Sequence, residues 1–346
     1  MNIEKDIMSI VDDYETFFID IYGVLFDGIN LYNQTLITLE KLRKNGKKVI
    51  ILSNTTQVSI EAKIGYAQRG MFHGVHYDEF ITSGEFLNYT IKNDPENFAR
   101  MFGGKADSVK CIFTGNANIF EGTHLKKSSI GEADVVYVGI PRSSYGTVFI
   151  DDVWDCNGKK INIEDVVDQC WYEIQDNCGR QGFAEFARQL DNCLKLNKTL
   201  LVANPDIFFH CSGVDPKNCG VAVVAQGAIA AYYEKIGGNV VYFGKPYPGV
   251  FGYAQQLAGN CGKKIMIGDT LWTDILGANA CGLDSALVTE TGVTCELMKK
   301  MEDSLNIEEK FKILYEKVAP KMTKISPSSK PTHLLRRFCS SKEVLL

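Results

Sequence analysis

Asp20, in the stretch "FFIDIYGVLFDG" at residues 17–28, ends a short apolar run and opens a glycine-containing loop. Polar residues follow apolar runs in the same way at three more places. These are Ser53-Asn54-Thr55 in "VIILSNTT", Lys245 in "VYFGKPYPG", and Asp269 with Asp274 in "IMIGDTLWTDILGANACG". Two carboxylates such as Asp20 and Asp269 suit a hard divalent cation like Mg²⁺, which takes oxygen ligands and uses only one or two protein carboxylates. Singly, each position has a plainer reading: Asp20 or Ser53 as a turn residue, Lys245 as a solvated loop cation, Asp274 as a helix N-cap. Their joint appearance, in this order, is the stronger signal.

The elements that must position them are strand-length runs, β-branched or aromatic and poorly alternating: Phe17–Ile19, Val49–Leu52, Val240–Phe243 and Ile265–Ile267. Such runs fit the buried strands of a parallel sheet. "TLITLEKLRKNG" between them has helical spacing and a C-cap signal at Gly46. The alternation predicts an α/β fold, a Rossmann-like doubly wound parallel sheet whose ligands bind beyond the carboxyl ends of its strands.

The stretch between the second and third of these runs is too long for a loop. It has its own strand pattern, "ADVVYVGI", a hairpin signal at Asn157-Gly158 in "TVFIDDVWDCNGKKINI", and a helical pattern from about 163 to 196. The expected division is a core of residues 1–87 and 239–300, an inserted α/β cap domain of residues 88–238, and a C-terminal helix and basic tail from 301 to 346.

Composition narrows the class. The 346 residues are 45% apolar and 23% charged, in the globular range, with a net charge of -5 that argues against a nucleic-acid-binding body. The N-terminus lacks the apolar core of a signal peptide, and no run of 18 apolar residues occurs. Eleven cysteines without a CxxC pair read as reduced thiols of a cytoplasmic protein.

The four motifs, together with "ITSGEFL", "ANPD" at 203–206, "CGVAVVAQGAIAAYYEKIGG" and "DILGANACGLDSALVTETG", resemble the haloacid dehalogenase superfamily of phosphatases. The likeness is closest to the nitrophenylphosphatase-like subgroup with a large α/β cap, and it covers roughly residues 14–295. It implies a Mg²⁺-dependent hydrolase of phosphate monoesters. In that reading Asp20 is the nucleophile that forms an aspartyl-phosphate, and Asp20, the Tyr22 carbonyl and Asp269 are the metal ligands. Ser53, with amides near Asn54 and Thr55, would bind the phosphoryl group, Lys245 would neutralise its charge, and Asp274 would orient Lys245 or a metal-bound water. Caps of this kind also contribute to homodimers in similar proteins.

One position departs from the pattern. Where relatives carry a second aspartate as general acid and base, this chain has Tyr22. A tyrosine near its ordinary pKa of ~10 donates a proton but is a poor base at neutral pH. The expected substrates are therefore aryl phosphates, small or on phosphotyrosine proteins, whose phenolate leaving groups need least help; a catalytically weak phosphate/Mg²⁺-binding module and a phosphotransferase are the alternatives. Asp151, Asp152 and Asp155 read as a solvated turn, and Trp171, Tyr172, Phe183 and Phe186 as cap core. From Lys317 to Lys342 the chain carries seven Lys and Arg and no acid. That tail reads as lying outside the core fold; Leu334, Leu335 and Phe338 among the cations suggest peripheral contact with an anionic membrane, with Cys339 open to acylation, against the plainer readings of a disordered solubilising tail or a tail packed back onto the core.

Overall fold

The computed structural model describes residues 2–111, 117–139, 142–143, 146–147, 189–211, 221–322 and 329–339. The expected hairpin, its three aspartates and the four cap aromatics lie outside the described residues. In chain order the described strands are β1 (Asn2–Glu4), β2 (Thr16–Ile19), β3 (Lys48–Ser53), β4 (Glu79–Thr82), β5 (Ser108–Cys111), β6 (Lys126–Lys127), β7 (Val135–Tyr137), β8 (Arg142–Ser143), β9 (Gly146–Thr147), β10 (Thr199–Val202), β11 (Phe208–Cys211), β12 (Val221–Val224), β13 (Asn239–Tyr242), β14 (Lys264–Gly268), β15 (Asp284–Val288) and β16 (His333–Leu335).

Seven of them form one sheet in the order β1-β16-β15-β14-β2-β3-β4, parallel throughout. The poorly alternating runs are explained by this sheet, because both of its faces are covered. Successive residues feed opposite cores: Phe17 and Ile19 pack on one face with Val49, Ile51, Ile265 and Ile267, whereas Phe18 packs on the other with Ile50, Leu52 and Met266. The helix expected from "TLITLEKLRK" runs over Thr35–Lys44 and stops at Asn45, before Gly46 at φ +74°.

A second parallel sheet has the order β13-β10-β7-β5-β6. Strand β13 corrects the sequence reading, which placed this run in the core sheet. It is the edge of the second sheet, paired in register with β10 from Thr199↔Asn239 to Val202↔Tyr242. Both sheets are parallel and helix-covered, so an apolar run carries no mark of which one it joins.

The C-terminal segment is a larger correction. Residues 329–339 do not lie outside the fold: β16 sits inside the main sheet between β15 and β1. Leu334 and Leu335 are fully buried on opposite faces, and Phe338 and Cys339 are buried too. Cys339 Sγ is 3.5 Å from Thr35 Oγ1. The charges that made the segment read as solvated alternate out of the core, with Arg336 and Arg337 exposed and Arg337 Nε 2.6 Å from Glu290 Oε2. The apolar residues invoked for membrane contact are therefore committed to the interior. Phe311, Leu314 and Val318 of the helix Ile307–Met322 are likewise buried in the core. Among the described residues no helix is long and apolar enough to cross a membrane.

Candidate active site

Strand ends from both sheets meet at one place. β2 delivers Asp20, whose N–H extends the ladder to Ile267 O at 2.9 Å. Next comes a tight turn: Leu25 and Phe26 both donate to Ile21 O, and Gly23, at φ +78°, donates back to Phe26 O. β3 ends at buried Ser53, whose Oγ accepts from Thr55 N at 3.3 Å. β13 leads through Gly244 to Lys245, and β14 leads to Asp269.

Lys245 is the centre of the arrangement. Its ammonium is only 2% exposed and lies 2.7 Å from Asp20 Oδ1, 2.7 Å from Asp274 Oδ1 and 2.9 Å from Leu52 O. An ammonium has three N–H donors, and all three are used. Burial alone would push the lysine down, but Asp20, Asp274 and Asp206 outweigh it and hold it firmly protonated.

Asp269 is held from behind. Its Oδ1 accepts from Thr270 Oγ1 at 2.9 Å, and its Oδ2 accepts at 2.6 Å from Val293 N, in the first turn of the helix Gly292–Lys299. The carboxylate fits only because two glycines flank it. A Cβ on Gly23 or on Gly292, both at positive φ, would overlap Asp269 Oδ2. Burial, with Asp274 and Asp20 close by, raises Asp269 well above the usual carboxylate range.

Asp274 lies in a π-helical turn, Leu271–Ile275, directly after the Asp269 motif. Such turns place an extra residue at functional sites. Here the turn aims Asp274 back, with Oδ1 on Lys245 and Oδ2 accepting from Thr270 N at 3.2 Å. Burial raises its carboxyl and Lys245 opposes the shift. One oxygen from each of Asp20, Asp269 and Asp274 falls within 4.8 Å of the others.

Asn54 and Thr55 are placed differently. The Asn54 side chain does not face outward: its Nδ2 donates to Lys245 O at 3.0 Å and to Asp206 Oδ1 at 2.9 Å, while its Oδ1 accepts from Lys245 N at 2.7 Å. Thr55 O accepts from Ser83 Oγ and Gly84 N, and its Oγ1 accepts from Gln57 N. The Tyr22 ring packs edge-on against Phe26 at 5.3 Å.

Three neighbours escaped the sequence reading. Asp206 comes from the end of β10 in the second sheet; "ANPD" was visible, but not that its strand ends beside β3. Tyr66 is raised by burial first and then by the charges of Tyr22 and Asp20. Tyr32 is raised by burial first and then by the charge of Asp269. Neither tyrosine carries a motif that spacing could reveal.

The donor set suits a divalent cation. Asp20, Asp269 and Asp274 bring three carboxylates against the single ammonium of Lys245, and Asp274 is already committed to that lysine. Asp20 and Asp269 are left as the residues that could hold the ion, with hard oxygen donors of the type Mg²⁺ prefers.

Two family models match, a haloacid dehalogenase-like hydrolase model over residues 17–115 and a HAD-hydrolase-like model over residues 242–308. No curated protein matches the chain. Among solved structures, a possible sugar phosphatase of the HAD superfamily from Cytophaga hutchinsonii is 22% identical with a TM-score of 0.64, the alignment covering 99% of this chain and 100% of that one. A 4-nitrophenylphosphatase from Thermotoga maritima is 18% identical, covering 95% and 96% with a TM-score of 0.57. A glycerol phosphate phosphatase from Mycobacterium tuberculosis, in complex with magnesium, is 18% identical, covering 87% and 74% with a TM-score of 0.54. The two segments that match haloacid dehalogenase-like hydrolase models contain the strand ends that supply Asp20, Ser53, Lys245 and Asp269, and the fold is shared with these solved structures over nearly the whole length.

Proposed function

We propose that the protein is a Mg²⁺-dependent phosphatase that hydrolyses phosphate monoesters through an aspartyl-phosphate on Asp20, with preference for aryl esters. The observation that carries this reading is the 2.7 Å contact between Lys245 Nζ and Asp20 Oδ1 at the meeting point of the strand ends. Asp20 is the least buried of the clustered acids, at 13% exposure, and is the one open to an incoming group. The named activities of the Thermotoga and Mycobacterium structures support a phosphate monoester as substrate, and the magnesium in the latter supports the ion.

Asp20 and Asp269 would hold the ion, which when bound supplies positive charge to a dianionic ester that otherwise repels a carboxylate. One Asp20 oxygen attacks phosphorus and the bond from phosphorus to the leaving oxygen breaks; a phenolate departs as such, whereas an alkoxide must take a proton from the Tyr22 hydroxyl or from solvent. Water then attacks the phosphorus of the aspartyl-phosphate and gives its proton to solvent; the bond to Asp20 breaks, and phosphate leaves with the carboxylate restored. Lys245 neutralises the charge shared between Asp20 and the phosphoryl group throughout, and Asp274 keeps it aimed.

Tyr22 sets the preference. General acid–base help is worth roughly 10²–10⁴-fold, most of it needed by alkoxide leaving groups. A phenolate leaves without it, so nitrophenyl phosphate and phosphotyrosine are favoured over sugar or glycerol phosphates. The same residue favours a second reading, in which slow hydrolysis of the aspartyl-phosphate lets an acceptor other than water take the phosphoryl group.

The test is nitrophenyl phosphate hydrolysis with and without Mg²⁺, beside an Asp20→Asn variant. Activity that disappears in both controls supports the proposal. Equal rates for the wild type and Asp20→Asn sink it.

A further inference from the structure

Asp206 reaches the site from the second sheet, and its surroundings give it a definite task. It ends the turn Ala203-Asn204-Pro205-Asp206 after β10, and that turn is fixed on both sides. Asp206 N donates to Asn204 Oδ1 at 2.8 Å, and Asp206 O accepts from Gly227 N at 2.9 Å. Gly227 opens the helix Gln226–Lys235 so close to the turn that a Cβ there would overlap Pro205 O. The carboxylate is thus presented by a rigid corner of the cap.

Its partner is Asn54, on the core side. The Asn54 carboxamide makes three bonds: Oδ1 accepts from Lys245 N, and Nδ2 donates to Lys245 O and to Asp206 Oδ1. Both backbone polar groups of Lys245 are therefore held by one side chain, 191 residues away in sequence. Gly244 precedes the lysine at φ +90°, where a Cβ would strike Asn54 Oδ1 and Ala203 O, so the three segments fit only at this spacing. Asp206 is the outer anchor of the clamp. Its oxygen accepts from the same Asn54 Nδ2 that donates to Lys245 O, and its charge joins those that keep the lysine protonated.

We propose that Asp206 is a positioning residue that acts through Asn54, holding the backbone of Lys245 so that its ammonium stays aimed at Asp20 and tying that aim to the seating of the cap. The catalytic consequence rests on the phosphatase reading given above; the positional one does not.

Three variants and two readouts test it. With nitrophenyl phosphate and Mg²⁺, Asp206→Ala should lower kcat about 10–100-fold, as loss of an orienting partner commonly does, with much less effect on KM. Asp206→Asn keeps an acceptor oxygen for Asn54 and should recover most of that loss. Asn54→Ala should resemble Asp206→Ala, and the double variant should be little worse than either alone, because both act on one clamp. Independently of activity, hydrogen exchange at the Lys245 amide should quicken in Asp206→Ala and not in Asp206→Asn, while the amides of β2 and β14 stay protected. Unchanged exchange at Lys245 in Asp206→Ala overturns the proposal, as do additive losses in the double variant. A wild type inactive on nitrophenyl phosphate would refute the phosphatase reading, and the exchange measurement would still decide the clamp.

Discussion

The Lys245 ammonium and the Asp274 carboxylate lie 2.7 Å apart with both side chains almost wholly removed from solvent. A buried pair of this kind is weak evidence for stability, because desolvation offsets much of the attraction, but losing one member leaves an uncompensated group. Asp274→Ala would strip one of the three acceptors from the Lys245 ammonium and leave Thr270 N without its carboxylate. Each buried donor left unmade costs about 1–3 kcal/mol. The variant should melt at a lower temperature, and nitrophenyl phosphate turnover should fall about 10–100-fold. A melting curve and rate matching the wild type would remove Asp274 from any part in aiming the lysine.

Tyr22→Asp restores a carboxylate two residues after the proposed nucleophile. If tyrosine limits proton transfer, this variant should raise kcat/KM on alkyl phosphates such as glycerol phosphate by a factor approaching the roughly 10²–10⁴ worth of general acid–base catalysis. Nitrophenyl phosphate should gain far less, so the ratio of aryl to alkyl activity should drop. The ring packs on Phe26, so a loss of stability from removing that contact is also expected; thermal unfolding separates it from the kinetic effect. An unchanged aryl-to-alkyl ratio would show that Tyr22 does not set the preference.

These two positions mark how far the sequence could be read. Asp20, Lys245 and Asp269 were legible because each follows a strand-length apolar run, and Asp274 because it shares the Asp269 motif. Asp206 was not, since its strand belongs to another sheet and nothing local says that the two sheets end side by side. β13 was assigned to the core sheet for the same reason. β16 was missed because three residues, His333–Leu335, are too short for any periodic signal, and the surrounding lysines, arginines, serines and prolines carry the composition of a solvated tail. Only the pairing of β16 with β1 and β15 converts Leu334 and Leu335 into core residues.

The interior position of β16 makes the C-terminus a structural element. Burying Leu334, Leu335 and Phe338 is worth roughly 1.5–3 kcal/mol for each side chain, and together that rivals the ~5–15 kcal/mol by which a domain is stable. Deleting residues from 329 onward also removes the pairing partner of β1. The truncated chain should fail to give a cooperative thermal transition. Leu334→Ala should cost about 2–5 kcal/mol, whereas Arg336→Ala, at an exposed position, should stay within about 0.5 kcal/mol. Truncation that leaves the unfolding curve unchanged would mean that the segment is not part of the sheet in solution.

β16 also carries a pH dependence. His333 is buried; its Nε2 lies 2.9 Å from the Tyr14 hydroxyl, which itself donates to Asp284 Oδ2 at 2.8 Å, so Nε2 carries the proton and Nδ1 the lone pair. Nδ1 has no hydrogen-bond partner, and the nearest carboxylate, from Glu4, is 3.9 Å away. Burial pushes the imidazole below its usual range; Glu4, Asp284 and Asp13 pull upward, Lys263 pulls down, and burial prevails. The sign follows from which state holds the extra proton. Below an unfolded-chain pKa near ~6.5 the unfolded chain takes up a proton that the folded histidine refuses, so stability present above that pH is lost as the pH falls toward the depressed folded value. Asp284 titrates in a separate window: burial would raise it, but its bonds to Lys263 and Tyr14 prevail and hold it down, so its contribution is lost only below the ordinary carboxylate range. Melting temperatures measured from pH 7.5 to pH 5 should therefore fall more steeply for the wild type than for His333→Gln, which can still donate to Tyr14 but cannot take up a proton. Parallel curves for the two proteins would exclude His333 as the source of the slope.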